Sequence, residues 1–304
     1  MTSNQLEVRV AAVTALGRQM SALDGDHDLT VGDLVQFVRD SVAHPRLSTI
    51  APAILRQRPP VVLAQDVQTA LTVLARRPER AETRGLDLSG LDLRAADVSQ
   101  GRWAHTRLDH SDLQDADLSE ADLRDANLKW TYLVQANLAS ARLAHANLTS
   151  ATLRKADLRH TRAQHVSFWG ADLSYARCEE AGLEFADLHR ATLDHADLRR
   201  VQLSFASLNA SSLRHARLSG SVLHFTDLRD ACLDDADLTE VRLDNANLSR
   251  AQLRNVRLID ADLRGCDLVS ARAQYADLHG ANLAHARLGA SDFRYADLSL
   301  DPPI

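Results

Sequence analysis

The stretch "ADLSEADLRDANL", residues 116–128, says nearly the same thing three times. Leu118, Leu123 and Leu128 stand five apart, each two residues after an alanine, with Asp or Asn between. A period of five fits neither a helix, which repeats at about 3.6 residues, nor a strand, which repeats at about 2.

Outward from there the register holds without insertion or deletion. Every fifth position from Leu88 to Leu298 makes 43 sites, of which 36 are Leu. The others are Val98, Trp103, Ala163, Phe168, Cys178, Ala273 and Phe293. A small residue, mostly Ala, stands two before nearly every site. Residues two apart point to one side of an extended chain, so the small residue and the Leu face inward and the residue between them faces out. Self-similarity of this kind marks a repeat architecture.

The motif A-[DN]-L-x-x resembles the pentapeptide-repeat family over residues 86–300. The resemblance implies a mainly β fold: a right-handed quadrilateral parallel β-helix, a solenoid with four pentapeptides per square coil and about 11 coils. With coils ~4.8 Å apart, this is a rigid rod on the order of 50 Å long. Residues 1–85 read differently. Apolar residues at helical spacing mark "LEVRVAAVTALGRQMSAL" (6–23), "TVGDLVQFVRDSV" (30–42) and "DVQTALTVLARR" (66–77). Thr30 and Asp33 form a capping-box pattern ahead of the second. A Pro-containing stretch with a short helix around Ile54 separates the second from the third. "VRVAAVTALGR" and "DVQTALTVLARR" also resemble the helical segment before the repeats of actinobacterial family members. A solenoid needs its open ends covered, so residues 1–85 are expected to cap or recruit, with Trp103 filling space beneath them. Residues 86–300 form the repeats and 301–304 a tail.

Net charge is −6, which speaks against direct nucleic-acid binding. Three cysteines without metal or redox spacing fit a reducing cytoplasm. No signal-peptide start and no apolar run of about 18 residues are present, so the expectation is a cytoplasmic protein away from membranes. "DGDHD" (24–28) alternates carboxylates like a calcium loop, but Leu29 and Val35 replace the turn glycine and the bidentate Glu, and it reads as a connecting loop. His145 with His165, and His195 with His215, stack in corner columns without a third ligand and read as surface residues. Cys178 and Cys266 occupy inward sites. Most Asp and Asn fill the slot the repeat prefers. The reading is of a non-enzyme without cofactor.

Residues twenty apart stack, which sorts the outward residues into walls. Phe185, Phe205 and Phe225 follow His165 up one corner, an exposed aromatic stripe for a protein partner. Trp130, Trp169, Tyr132 and Tyr175 mark a second aromatic patch. One wall carries nearly all the acidic excess, with Asp97, Asp117 and Glu120 below and Asp277 and Asp297 above. Its middle column alternates Asp157, Arg177, Asp197, Arg217, Asp237 and Arg257, an ion-pair ladder. Phe293, Leu298, Leu300 and Ile304 are expected to form a homodimer interface at the C-terminal end. The first functional reading is a scaffold that binds an unidentified protein through the outer faces of the rod. The second follows from the resemblance: a DNA mimic that binds DNA gyrase and protects it from inhibitors.

Overall fold

A computed structural model of the chain describes residues 3–21, 27–42, 63–78 and 85–299. Three helices come first: α1 (Ser3–Ser21), α2 (His27–Val42) and α3 (Gln65–Ala75). Val13 and Met20 of α1, Leu34 and Val38 of α2, and Val67, Leu71 and Leu74 of α3 are all buried. α2 starts at His27, earlier than the Thr30–Asp33 pattern predicts, so Thr30 is a buried residue of the helix and not its cap. Arg9 of α1 reaches the buried Asp66 at 2.5 Å, in the first turn of α3, where a carboxylate also suits the helix dipole. The expected helix around Ile54 and the first three residues of the 24–28 loop lie outside the described residues.

Beyond Gly85 each five-residue unit solves one problem, the placement of five backbone N–H groups. In the unit 116–120, Ala116 N–H closes a turn on the Leu113 carbonyl at 3.1 Å. Asp117 donates to Ala96 at 2.9 Å, one coil below. Leu118 and Glu120 donate upward to Asn137 and Ala139, at 2.7 and 2.9 Å. The remaining donor, Ser119 N–H, is taken by the Asp117 carboxylate at 2.9 Å. The outward Asp or Asn therefore serves the backbone, because its side chain accepts the one N–H that coil-to-coil pairing leaves over, as in an Asx turn. Parallel bridges join residues twenty apart, from Asp87 with Arg107 to Asp277 with Asp297, so the chain returns over itself every four units.

The interior is filled by the Leu sites and the small residues before them. At the bottom Trp103 replaces Leu and is buried, its indole N–H donating to the Val98 carbonyl at 2.9 Å. Gly101 makes this fit, since a Cβ there would lie 2.0 Å from the indole nitrogen. The first coil has no coil beneath it, and the helices supply the missing partners. Asp92 N–H donates to the Val42 carbonyl at 3.3 Å, and Arg102 N–H to the Ala75 carbonyl at 3.1 Å. Asp97 N–H donates to Gln68 Oε1 at 3.0 Å. Arg77 donates back to the Leu74 carbonyl at 2.8 Å and to the Arg102 carbonyl.

The expected mainly β, right-handed quadrilateral parallel β-helix is corrected. Among the described residues the only regular elements are the three helices, with no β-strand, sheet or barrel. The physical reason lies in the unit. Two of its five residues form a turn, leaving one residue per unit in bridge geometry, so paired residues never run consecutively into a strand.

Candidate functional site

Every fifth residue from 90 to 295 has positive φ, at 53–68°, and 37 of these 42 corners are not glycine. A left-handed backbone costs an L-residue about 1–2 kcal/mol. The corner offsets part of that cost by donating its N–H to the next coil, as Phe205 does to the His224 carbonyl at 2.9 Å. No corner is Val, Ile or Thr, the residues least tolerant of this region. Eight of the 13 histidines are corners. The corner side chain projects outward above the one twenty residues earlier, which brings rings into register.

The longest ring stack runs His145, His165, Phe185, Phe205, Phe225. Centroid steps are 4.9, 4.8, 5.1 and 5.2 Å, and neighbouring rings lie within 9° of parallel. The three phenylalanines are 49, 51 and 53% exposed, so the ladder covers its ring faces internally and presents its edges to solvent. Glu184 and Asp187 flank Phe185 on either side in sequence; among the described residues neither has a cation within ion-pair distance. The residues of the second expected patch each have their own surroundings. Trp130 stacks on His110 at 4.8 Å, Trp169 tilts against His189 at 6.3 Å, and Tyr175 stacks on His195 at 4.7 Å and through it on His215. Tyr132 occupies a bridge slot between Asp112 and Thr152. Sequence reasoning missed the Tyr275–Tyr295 stack at 5.1 Å, although the twenty-residue spacing was there to find it.

The acidic residues are largely employed by the fold. Asp97, Asp117, Asp277 and Asp297 each accept the N–H two residues on, at 2.9–3.2 Å. Glu120 accepts from Gln100 at 3.3 Å. In the ladder Arg177 meets Asp157 and Arg217 meets Asp197, both at 3.5 Å, while Asp237 and Arg257 close no such pair among the described residues. Asp157 and Asp197 are also gripped by Arg159 and Arg199, two residues on, at 2.6 and 2.7 Å. This Asp-Leu-Arg clamp recurs at Asp122–Arg124, Asp227–Arg229 and Asp262–Arg264, and with Phe293 in the middle place at Asp292–Arg294. The hydrogen bond from Arg124 holds the Asp122 carboxyl below its ordinary range, and Arg264 does the same for Asp262. Burial pushes the thiols of Cys178 and Cys266 up to about 12, which suits inward fillers.

Ser204, His224 and Asp244 follow one another up a single column, and His224 pairs with Asp244. Among the described residues Ser204 Oγ makes no hydrogen bond to His224, and the adjoining Phe205 N–H is already committed. No group of three or more His, Cys, Asp or Glu among the described residues could hold a metal ion. Among those residues no helix is long and apolar enough to cross a membrane. At the C-terminal end Phe293 is half-buried and Leu298 is exposed, while Leu300 and Ile304 lie outside the described residues.

The family model for pentapeptide repeats matches residues 87–160, 164–268 and 274–299. The chain belongs to the pentapeptide-repeat family. Among solved structures it is similar to HetL, a pentapeptide repeat protein involved in heterocyst differentiation regulation from the cyanobacterium Nostoc sp. strain PCC 7120. Identity is 28%, over 73% of this chain and 93% of that one, with a TM-score of 0.30. It is also similar to trypsin-treated QnrB1 M102R, a plasmid-mediated fluoroquinolone resistance protein, at 21% identity over 59% and 78%, with a TM-score of 0.28. No curated protein matches the chain.

The functional expectations tied to a rigid β-helical rod, a scaffold acting through its outer faces or a DNA mimic, are corrected with the fold. No strand or sheet among the described residues builds such a rod. The mimic loses its charge pattern as well, because Arg159, Arg177, Arg199 and Arg217 neutralise the middle of the acidic wall.

Proposed function

We propose that this pentapeptide-repeat protein is a non-enzymatic recognition module that binds a protein partner at an aromatic corner column. The observation that carries the reading is the run of three half-exposed phenylalanines, Phe185, Phe205 and Phe225, in one five-ring stack. The core does not need these rings, which point away from it. Exposed aromatics in an ordered array are what protein interfaces use as anchors, because they bring large contact area with little side-chain entropy to lose. The helices support the module from below by taking the donors of Asp92, Asp97 and Arg102.

The test is affinity purification from the native host with the full chain and with Phe185→Ser/Phe205→Ser. A partner held at stoichiometric level by the parent and lost from the variant is the expected result. Equal recovery on both would overturn the reading.

A second reading, self-association through the C-terminal coil, has its own support. Leu288 and Leu298 there are 43 and 49% exposed. Light scattering at micromolar concentration should give a dimer, and a monomer would remove this reading.

A further inference from the structure

The five-ring ladder has a pitch, a length and a charged border, and together they specify what lies on it. We infer that the occupant of the His145–Phe225 column is an amphipathic α-helix of the partner, with one apolar stripe bordered by Lys or Arg. This rests on the reading of the column as a protein-binding surface.

Pitch is the first argument. The ring steps are 4.8–5.2 Å. One turn of α-helix advances about 5.4 Å, so an apolar stripe with one side chain per turn stays nearly in phase across all five rings. Side chains on one face of a strand recur at roughly 6.6 Å and fall out of phase by the third ring.

Charge is the second. Phe185 is the central ring, and both its flanks are acidic, Glu184 before it and Asp187 after it, with no cation at ion-pair distance among the described residues. Asp227 beside Phe225 is clamped by Arg229, whereas no arginine pairs with Glu184 or Asp187 among the described residues, so the acidic border without a cation lies at the middle of the ladder. A second copy of this chain would match the pitch. Paired two-fold about Phe185, however, it would bring the carboxylates of both copies together, and like charges opposed across a contact are unfavourable. A helix carrying basic residues beside its apolar stripe satisfies both the pitch and the border.

The experiment uses the full chain and a fluorescein-labelled helical peptide of about 18 residues, long enough to span the ladder, with a Leu stripe and Lys borders. Controls are the same peptide with Glu borders and one with the Leu positions scrambled. Anisotropy should show saturable binding of the Lys-bordered peptide alone, weakening as salt rises. Phe205→Ser should weaken binding about tenfold or more. Glu184→Gln/Asp187→Asn leaves the rings in place; it should weaken binding several-fold and flatten the salt dependence. Binding of the Glu-bordered or scrambled peptide with equal affinity would overturn the inference, as would no binding of the Lys-bordered peptide. Dimerisation of the parent chain that Phe205→Ser abolishes would also overturn it, by making a second copy the occupant. If the native partner is captured and lost from the phenylalanine variant while every peptide fails, the helix is wrong and the protein-binding reading stands.

Discussion

At Phe205 a bulky side chain sits on a left-handed backbone, with φ at 62°. That combination is costly anywhere else in a protein. Here it recurs at every corner because the corner N–H pairs with the next coil. The clearest single-residue consequence lies at the other extreme, in the interior. Gly101→Ala would place a methyl against the Trp103 indole, and the first coil cannot move it without breaking the bond to Val98. Overpacking of this kind costs about 1–3 kcal/mol, so chemical denaturation should show that loss. Gly101→Ala combined with Trp103→Leu should recover most of it. The inward and outward sorting of these residues was legible from the five-residue period. The corner conformation was not, although the absence of Val, Ile and Thr at those 42 positions and the crowding of His there carried it.

The Asp-Leu-Arg clamp ties the bridge residue of a unit to the turn residue two places on, and it makes an element-scale prediction about pH. Arg124 lowers the Asp122 carboxyl and Arg264 lowers Asp262. A carboxyl held below its unfolded value of about 3.9 contributes stability that is fully present above that value and is lost as pH falls through the depressed one. Thermal melts should therefore be flat from neutral pH to about pH 5 and fall below about pH 4. Arg124→Leu/Arg264→Leu should melt lower at neutral pH and lose less on acidification. Equal acid slopes for parent and double variant would contradict the clamp's role.

The helices act as a second kind of element, and they were only partly legible. The third was expected at 66–77 and is found at Gln65–Ala75, because its Val67–Leu74 face is unambiguous. The second was misplaced at its start, since a capping-box spacing also occurs inside helices. What the sequence could not reveal is which carbonyls the helices offer. Removing residues 1–85 should leave the donors of Asp92, Asp97 and Arg102 facing outward. Bare backbone edges of this kind associate. Size-exclusion chromatography should show concentration-dependent assembly of the shortened chain into species larger than any the full chain forms.

At the scale of the whole molecule, the period of five disclosed the interior and the family resemblance implied the four-unit circuit, but the same resemblance misled about the secondary structure. A resemblance that implies strands cannot show that turns consume so much of each unit that only isolated bridges remain. The Phe185–Phe225 column was legible for the same reason the circuit was, because residues twenty apart stack. The histidine partners of Trp130, Trp169 and Tyr175 went unread, although His110 and His189 stand twenty residues from Trp130 and Trp169 and His195 twenty from Tyr175. Ring columns and packed interior alike depend on a left-handed corner that recurs in the same place throughout and turns its side chain outward. Alanine-to-glycine substitution tests this most directly, because the sign of the effect should depend on register alone. Ala95→Gly, Ala210→Gly and Ala290→Gly, at corners with φ of 55–57°, should each raise stability by about 0.5–1 kcal/mol, since glycine accepts that conformation freely. Ala96→Gly, Ala206→Gly and Ala271→Gly, at buried inward sites, should each lower it by a similar amount or more. Destabilisation at all six positions, without the change of sign between corner and interior, would contradict the recurring corner.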